Sequence, residues 1–241
     1  MQRSAGKSVA EAIDARWQMD LISYVNSPVT VGDKTFKWIL VVINVFDRYL
    51  YAVPMQTKEQ VEVREALEEI LALALKTPKV ISSDQGQEFH GEVPALLARK
   101  RIVHRFKVVG DSNAIGVCDK AIQSLKQKIA QMVSRSGTWA SVLTRAVASQ
   151  NTVPKAGVLH GAAPKEVRDD PEVHFMMLAD QEKKMTHNKA LGERRTTALN
   201  QTGTFRAPVP GSTGKFKRSY QATYGDPLTV GDVKAGTVTD T

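Results

Sequence analysis

Near residue 57 the hydrophobic rhythm of this chain changes, and that change limits its fold class more than any other feature. Before it, apolar residues keep the period of two that belongs to β-strands. Over 16–25, Trp17, Met19 and Leu21 alternate with polar neighbours, and Ile22 and Tyr24 carry the pattern on. Residues 35–43 are rich in β-branched and aromatic side chains and predict a second strand. Residues 48–54 predict a third, close enough to form a hairpin with it, and a Val-Gly-Asp turn falls within 29–34. After residue 57 the period lengthens. Thr57, with Gln60 three residues on, reads as the cap of a helix bearing Val61, Val63, Leu67, Ile70, Leu71 and Leu75 and ended by Pro78. Residues 79–83 and 102–106 predict two more strands around a helix at 92–100. A loop at 108–113 then leads to helices at 114–134 and 138–151. Three strands followed by strand–helix alternation predict an α/β fold with a mixed five-stranded sheet flanked by helices.

The remaining segments are simpler. Residues 1–15 are small and polar and read as a disordered or helical arm. Residues 162–167 start another helical segment, and 171–191 read as a long charged helix. From residue 202 the chain turns to short pieces of Gly, Pro, Thr, Val and aromatics, the texture of a small β module. Between Lys183 and Tyr220 nine Lys and Arg face one acid, Glu193, so the approach to that module is a basic patch suited to nucleic acid.

Charge points the same way. The 241 residues carry a formal net charge of +8 and a pI of about 9.5, which favours an anionic partner. Cys118 is the single cysteine, so no intrachain disulfide forms, and the scattered histidines offer no zinc spacing. The longest apolar run, 38–46, is broken by Asn44 and is far too short to span a bilayer. Residues 1–14 show no signal-peptide core, and the chain reads as intracellular.

Chemistry concentrates where a loop runs into a helix, at 111–126. Asp119 lies just inside that helix, Asp20 in the first strand, and Asp84 where the fourth strand leaves the sheet, the usual place for chemistry in an open sheet. Carboxylate oxygens suit Mg²⁺ or Mn²⁺, and two such ions about 4 Å apart clamp the two oxygens of an in-line phosphoryl displacement. Gln123 and Lys126, four and seven residues after Asp119, share its helix face. His90 and His104 are read as structural, because two-metal chemistry needs no protein base, and Cys118 as a buried, inert thiol.

Several stretches resemble the integrases of retroviruses and LTR retrotransposons. RWQMDL at 16–21 resembles their first-acid motif, LVVINVFDRY at 40–49 their second strand and turn, and VISSDQGQEF at 80–89 their second-acid motif. GVCDK at 116–120 resembles the third, and SQN at 149–151, Pro154 and HGAAP at 160–164 the segment beyond it. TFR at 204–206, FKRSY at 216–220 and Tyr224-Gly225 resemble, more weakly, the entry to a small C-terminal barrel. The resemblance implies a ribonuclease H-like core at 16–168, after an arm at 1–15. A helical basic linker at 169–201 and a partial SH3-like β-barrel at 202–241 would follow. The pattern is unfinished at Thr241, as in a piece of a longer polyprotein.

The same resemblance implies a DNA integrase that trims element ends and joins them to target DNA. It would use two Mg²⁺ or Mn²⁺ ions held by Asp20, Asp84 and Asp119. It implies DNA contacts by Lys120, Gln123 and Lys126 on the third-acid helix, and by Arg206, Lys215, Lys217 and Arg218 in the basic C-terminal region. A homo-oligomer, no membrane partner and, in a eukaryote, a nuclear location also follow from it. The rival readings are a catalytically inactive, integrase-derived nucleic-acid-binding or assembly module, and a related nuclease or transposase. Four departures stand out: Asp119 where the family usually has Glu, Gln85 where Asn is usual, Asn44 where the second strand usually ends in Asp, and 34 residues between Asp84 and Asp119, one fewer than is common.

Overall fold

A computed structural model describes residues 8–74, 76–107, 115–135, 137–202, 204–208, 224–229, 232–234 and 237–239. The chain divides into two compact units, the sheet unit ending at residue 182 and a C-terminal unit from residue 183.

The sheet unit starts with β1 (Arg16–Ser23), the short β2 (Val29–Val31) and β3 (Lys34–Phe36), then β4 (Trp38–Asn44) and β5 (Leu50–Met55). α1 (Gln60–Leu73), β6 (Val80–Ser83), α2 (Glu92–Arg99) and β7 (Val103–Phe106) follow. α3 (Gly116–Val133), α4 (Trp139–Thr152), the four-residue α5 (Ala156–Leu159) and α6 (Pro171–Thr202) complete the helices. The main sheet has the order β5-β4-β1-β6-β7, with β4 antiparallel to both β1 and β5, and β6 parallel to β1 and β7. It is the mixed five-stranded sheet that the change of period predicts.

Pleating decides which helix meets which residue. Trp17, Met19, Leu40, Val42 and Ile81 point to one face and pack with Val63, Leu67 and Ile70 of α1 and Leu96 and Leu97 of α2. Ile22, Ile39, Val41 and Ile43 point to the other and pack with Leu125 and Ile129 of α3 and Val142, Leu143 and Ala146 of α4. β4 is covered on both faces, which is why its sequence is apolar from Trp38 to Ile43. Trp139 also lies in that second layer, stacked on Tyr24 at 4.6 Å.

Several element boundaries differ from the sequence reading. The second strand is interrupted at Lys37, because β3 turns back to pair with β2 across Gly32, whose φ is 62°. α1 begins at Gln60 rather than after Thr57. The Glu62 carboxylate accepts the backbone N–H groups of Gln56, at 2.5 Å, and Thr57, at 2.7 Å, and holds the approach extended. α1 also stops at Leu73, short of Pro78, with Ala74 already extended. In place of a helix starting at residue 162, the segment holds a single 3-10 turn at Glu166–Arg168, and the short α5 lies before it. α6 runs eleven residues past the expected end at residue 191. The loop expected at 108–113 lies outside the described residues.

Residues 8–15 are neither helical nor a loose arm. Ala10 and Ala15 are buried with Phe46, Leu159, Val167 and Met177, and the Ala10 N–H donates to Gln181 Oε1 at 3.2 Å. Asp14 anchors this corner. Arg168 donates to it from Nη2 at 2.8 Å and Nη1 at 3.1 Å, and to Asp47 from Nε at 2.8 Å. Asn44 Nδ2 donates to both carboxylates, at 3.0 and 3.2 Å, and its Oδ1 accepts the Phe46 N–H at 2.9 Å. Burial pushes the Asp47 carboxyl up to about 6, against the pull of Arg168. Here Asn44 gives an amide donor to two buried acids, which a third carboxylate could not do.

In the C-terminal unit, β8 (Thr204–Pro208) pairs antiparallel with β9 (Tyr224–Thr229), and β10 (Asp232–Lys234) with β11 (Thr237–Thr239). Arg206 lies on β8, opposite Pro227. Lys215, Lys217 and Arg218 lie outside the described residues.

Candidate active site

The third acid is placed by a residue that the sequence reading passed over. The N-cap position of α3 is Ile115, which offers no side-chain acceptor. Gln18, buried in β1, supplies it from another element: its Oε1 accepts the N–H groups of Val117 at 3.1 Å and Cys118 at 3.0 Å. Two of the N–H groups that a helix leaves unpaired in its first turn are thereby satisfied, and α3 is tied to β1. Gln18 and Asp20 are two apart on one strand and therefore share a face. The link that fixes the start of α3 thus lies beside Asp20, and Asp119 follows directly on Cys118. The period-two pattern of 16–22 held the signal, since it places Gln18 on the face of Asp20.

Asp84 is held differently. Its Oδ1 accepts the Gly86 N–H at 3.0 Å, closing a tight turn at the end of β6. Ser83 Oγ donates to the Asp84 carbonyl at 2.8 Å and lies 2.9 Å from His104 Nε2. With its one proton committed, the hydroxyl accepts from Nε2–H. Phe106 lies between His90, 4.7 Å away, and His104, 4.2 Å away. Burial, and then His90, lower the His104 pKa to about 4, so the ring stays neutral near pH 7 and supports the turn. Both histidines thus sit in packing positions behind Asp84.

Glu88 joins the group from the 3-10 turn Gln87–Phe89, whose Phe89 is fully buried. A Cβ placed on Gly86 would come within 2.8 Å of Glu88 Oε1 and 3.0 Å of Asp84 Oδ1, so glycine leaves room for both carboxylates. Asp20 Oδ1 accepts the N–H of Leu21 at 2.8 Å. Burial is the main cause raising the Asp20 carboxyl from 3.8 to about 6. The Leu21 N–H opposes that shift, and the charges of Asp84, Asp119 and Glu88 add to it. Asp84, Asp119 and Glu88 are therefore all within electrostatic reach of Asp20. Cys118 is fully buried beneath them, and burial raises its thiol well above its usual range.

Among the described residues no three His, Cys, Asp or Glu side chains are gathered tightly enough to hold one ion as they stand. The donor set itself fits a hard divalent cation. It is made of carboxylate oxygens, and at Asp20 and Asp84 a backbone N–H orients one oxygen of each. Mutual repulsion among the acids is the load that such a cation relieves. Along α3, Asp119, Lys120, Gln123 and Lys126 are exposed, opposite the buried Cys118, Leu125 and Ile129, and Lys120 Nζ donates to Gln123 Oε1 at 3.0 Å.

Residues 10–112 match the integrase core domain family. Over that stretch the chain is similar to an integrase core domain. Asp20 and Asp84 fall inside the matched stretch and Asp119 lies beyond its end. The fold is similar to the catalytic core domain of BIV integrase, at 21% identity with a TM-score of 0.52, over 64% of this chain and 93% of that one. It is also similar to the HTLV-2 integrase catalytic core domain solved in complex with magnesium, at 14% identity with a TM-score of 0.52, over 66% of this chain and 98% of that one. An uncharacterized transposon-derived protein of Caenorhabditis elegans is 26% identical over 132 residues, 54% of this chain and 45% of that protein. The chain thus spans about half the length of that relative.

Proposed function

We propose that the integrase-type domain is a metal-dependent DNA integrase, carrying out 3′-end processing and strand transfer of element DNA into target DNA. The observation that carries this reading is that Asp84, at the end of β6, and Asp119, at the start of α3, both lie within electrostatic reach of Asp20 on β1. Those three residues would hold Mg²⁺ or Mn²⁺, with Glu88 beside them. A bound divalent ion supplies positive charge to the phosphodiester and makes a water or hydroxyl nucleophilic at neutral pH.

The chain's own residues position everything else. Gln18 holds the start of α3, and with it Asp119, within electrostatic reach of Asp20. Lys120, Gln123 and Lys126 lie along the exposed side of α3, where a DNA end would reach them. In end processing, water attacks phosphorus and the terminal nucleotides leave as the 3′ oxygen departs. In strand transfer, the freed 3′-hydroxyl oxygen attacks a target phosphodiester, and the opposite P–O bond breaks as the new one forms. Arg206 and the basic C-terminal segment would add phosphate contacts, in an assembly of several copies.

One observation favours a second reading, a non-catalytic nucleic-acid-binding module: the absence of a tight three-carboxylate group among the described residues. A strand-transfer assay on a labelled duplex, run in parallel with Mg²⁺ and Mn²⁺ and resolving nicked from joined product, separates the two. The integrase reading expects joined product from the wild type and none from Asp20→Asn or Asp84→Asn. Nicked product alone would identify a nuclease. Joining by either variant at the wild-type rate would remove the assignment.

A further inference from the structure

The nine residues from Arg99 to Lys107 hold five cations, Arg99, Lys100, Arg101, Arg105 and Lys107, and no acid. They cover the end of α2 and the whole of β7, the outermost strand of the sheet. Arg99, Lys100, Arg101 and Arg105 are exposed, and none of the five is in an ion pair with a described residue. Lys76 and Lys79 are exposed as well, and the Lys79 carbonyl accepts the Val103 N–H at 2.9 Å, next to the start of β7. The strip leads to the candidate site. The Lys107 N–H donates to the Ser83 carbonyl at 2.8 Å, and Gln85 Nε2 donates to the Lys107 carbonyl at 3.1 Å, so its far end abuts the turn that carries Asp84. From Arg101 to Lys107 an extended chain runs roughly 20 Å. A nucleic-acid strand places a phosphate about every 3.4 Å along a duplex, so that length faces several phosphates.

A second, independent observation concerns Arg101. α2 ends in a Schellman motif: the Ile102 N–H donates to Leu97 O at 2.8 Å and the Arg101 N–H to Ala98 O at 3.0 Å. Arg101 occupies the left-handed position of that motif with φ 57°. Glycine is the usual residue there, because any Cβ crowds the following carbonyl oxygen. An arginine stands where the backbone favours glycine, a conformation that Asp14, Arg48 and His160 also adopt in this fold.

We propose that the β7 edge is a docking track for the sugar-phosphate backbone of DNA, guiding it toward Asp84. This inference rests on the reading of the chain as a DNA-acting enzyme. It assigns backbone contacts to a surface separate from α3 and from the basic C-terminal segment. Cations on an edge strand also deter sheet-to-sheet association, but that role predicts no effect on DNA affinity.

The test is fluorescence anisotropy of a labelled duplex with the full chain over a series of salt concentrations. Two variants are compared with the wild type: Arg99→Gln with Lys100→Gln, Arg101→Gln and Arg105→Gln combined, and Arg101→Gly alone. Each phosphate contact contributes about 0.9 to the slope of log affinity against log salt, so the combined variant should lose roughly three to four units of slope. Arg101→Gly should weaken binding severalfold while raising the midpoint of thermal unfolding, a pairing that a merely structural arginine would not give. Removal of three charges at the opposite edge, Lys34→Gln with Lys37→Gln and Lys58→Gln, should change the slope by less than one unit. Wild-type slope in the combined variant, or unchanged affinity in Arg101→Gly, overturns the track alone. No salt-sensitive DNA binding by the wild type overturns the track together with the functional reading beneath it.

Discussion

Asp20 shows how a site's chemistry is stored in one residue. Its carboxyl, raised to about 6, favours the neutral form in the metal-free fold. Because the folded pKa lies above the unfolded one, this group's stabilisation is complete below about pH 4 and is lost as pH rises through about 6. Near pH 7.5 the metal-free protein therefore carries a carboxylate that it would rather protonate. Asp20→Asn keeps the shape and removes the charge. We expect it to raise the thermal midpoint at pH 7.5, relieving a cost of roughly 1–3 kcal/mol at about 1.4 kcal/mol per pKa unit, and to lose that advantage by pH 4. Scanning calorimetry at the two pH values checks this, and a lower midpoint at pH 7.5 would contradict it. Asp20, Asp84 and Asp119 were legible in the sequence because each sits in a local frame of strand, strand end or helix start. The raised carboxyl was not, because it depends first on burial and then on acids 64 and 99 residues away in the chain. Asn44 read as a departure from a family pattern. Its use became visible only when folding set it between Asp14 and Asp47.

At the scale of elements, the junction of β1 and α3 matters most. Gln18 makes one strand residue the cap of a distant helix. Gln18→Leu would leave the N–H groups of Val117 and Cys118 without their acceptor, at a cost of about 1–3 kcal/mol. It would also let the first turn of α3 drift, carrying Asp119 with it. Urea unfolding should show the loss of stability, and strand transfer should fall more steeply than DNA binding. Parallel losses in both activities would point to general unfolding. Strand and helix types were readable from period, but boundaries depended on long-range contacts. The start of α1 moved because Glu62 grips the backbone before it, and the second strand broke because β3 found a partner in β2. α5 is one turn long, too short to leave a periodic trace.

Across the whole molecule, the mixed sheet and its two helical layers brought Asp84 and Asp119 within electrostatic reach of Asp20. The similarity to integrase catalytic cores extends over about two thirds of the chain, at identities that speak for the fold. The +8 charge is unevenly spent: five cations crowd the β7 edge, while Arg168 is turned inward to hold Asp14 and Asp47. Overall charge announced an anionic partner, but only the sheet order could show that one basic run ends beside Asp84. On the proposed function, Asp20, Asp84 and Asp119 together would hold a divalent cation, although the third residue is an Asp where the family usually has Glu. Isothermal titration of the full chain and of Asp119→Asn with Mn²⁺ tests it most directly. Saturable binding to the wild type and at least tenfold weaker binding to the variant are expected. Equal affinity for both, or no binding to the wild type, would contradict it.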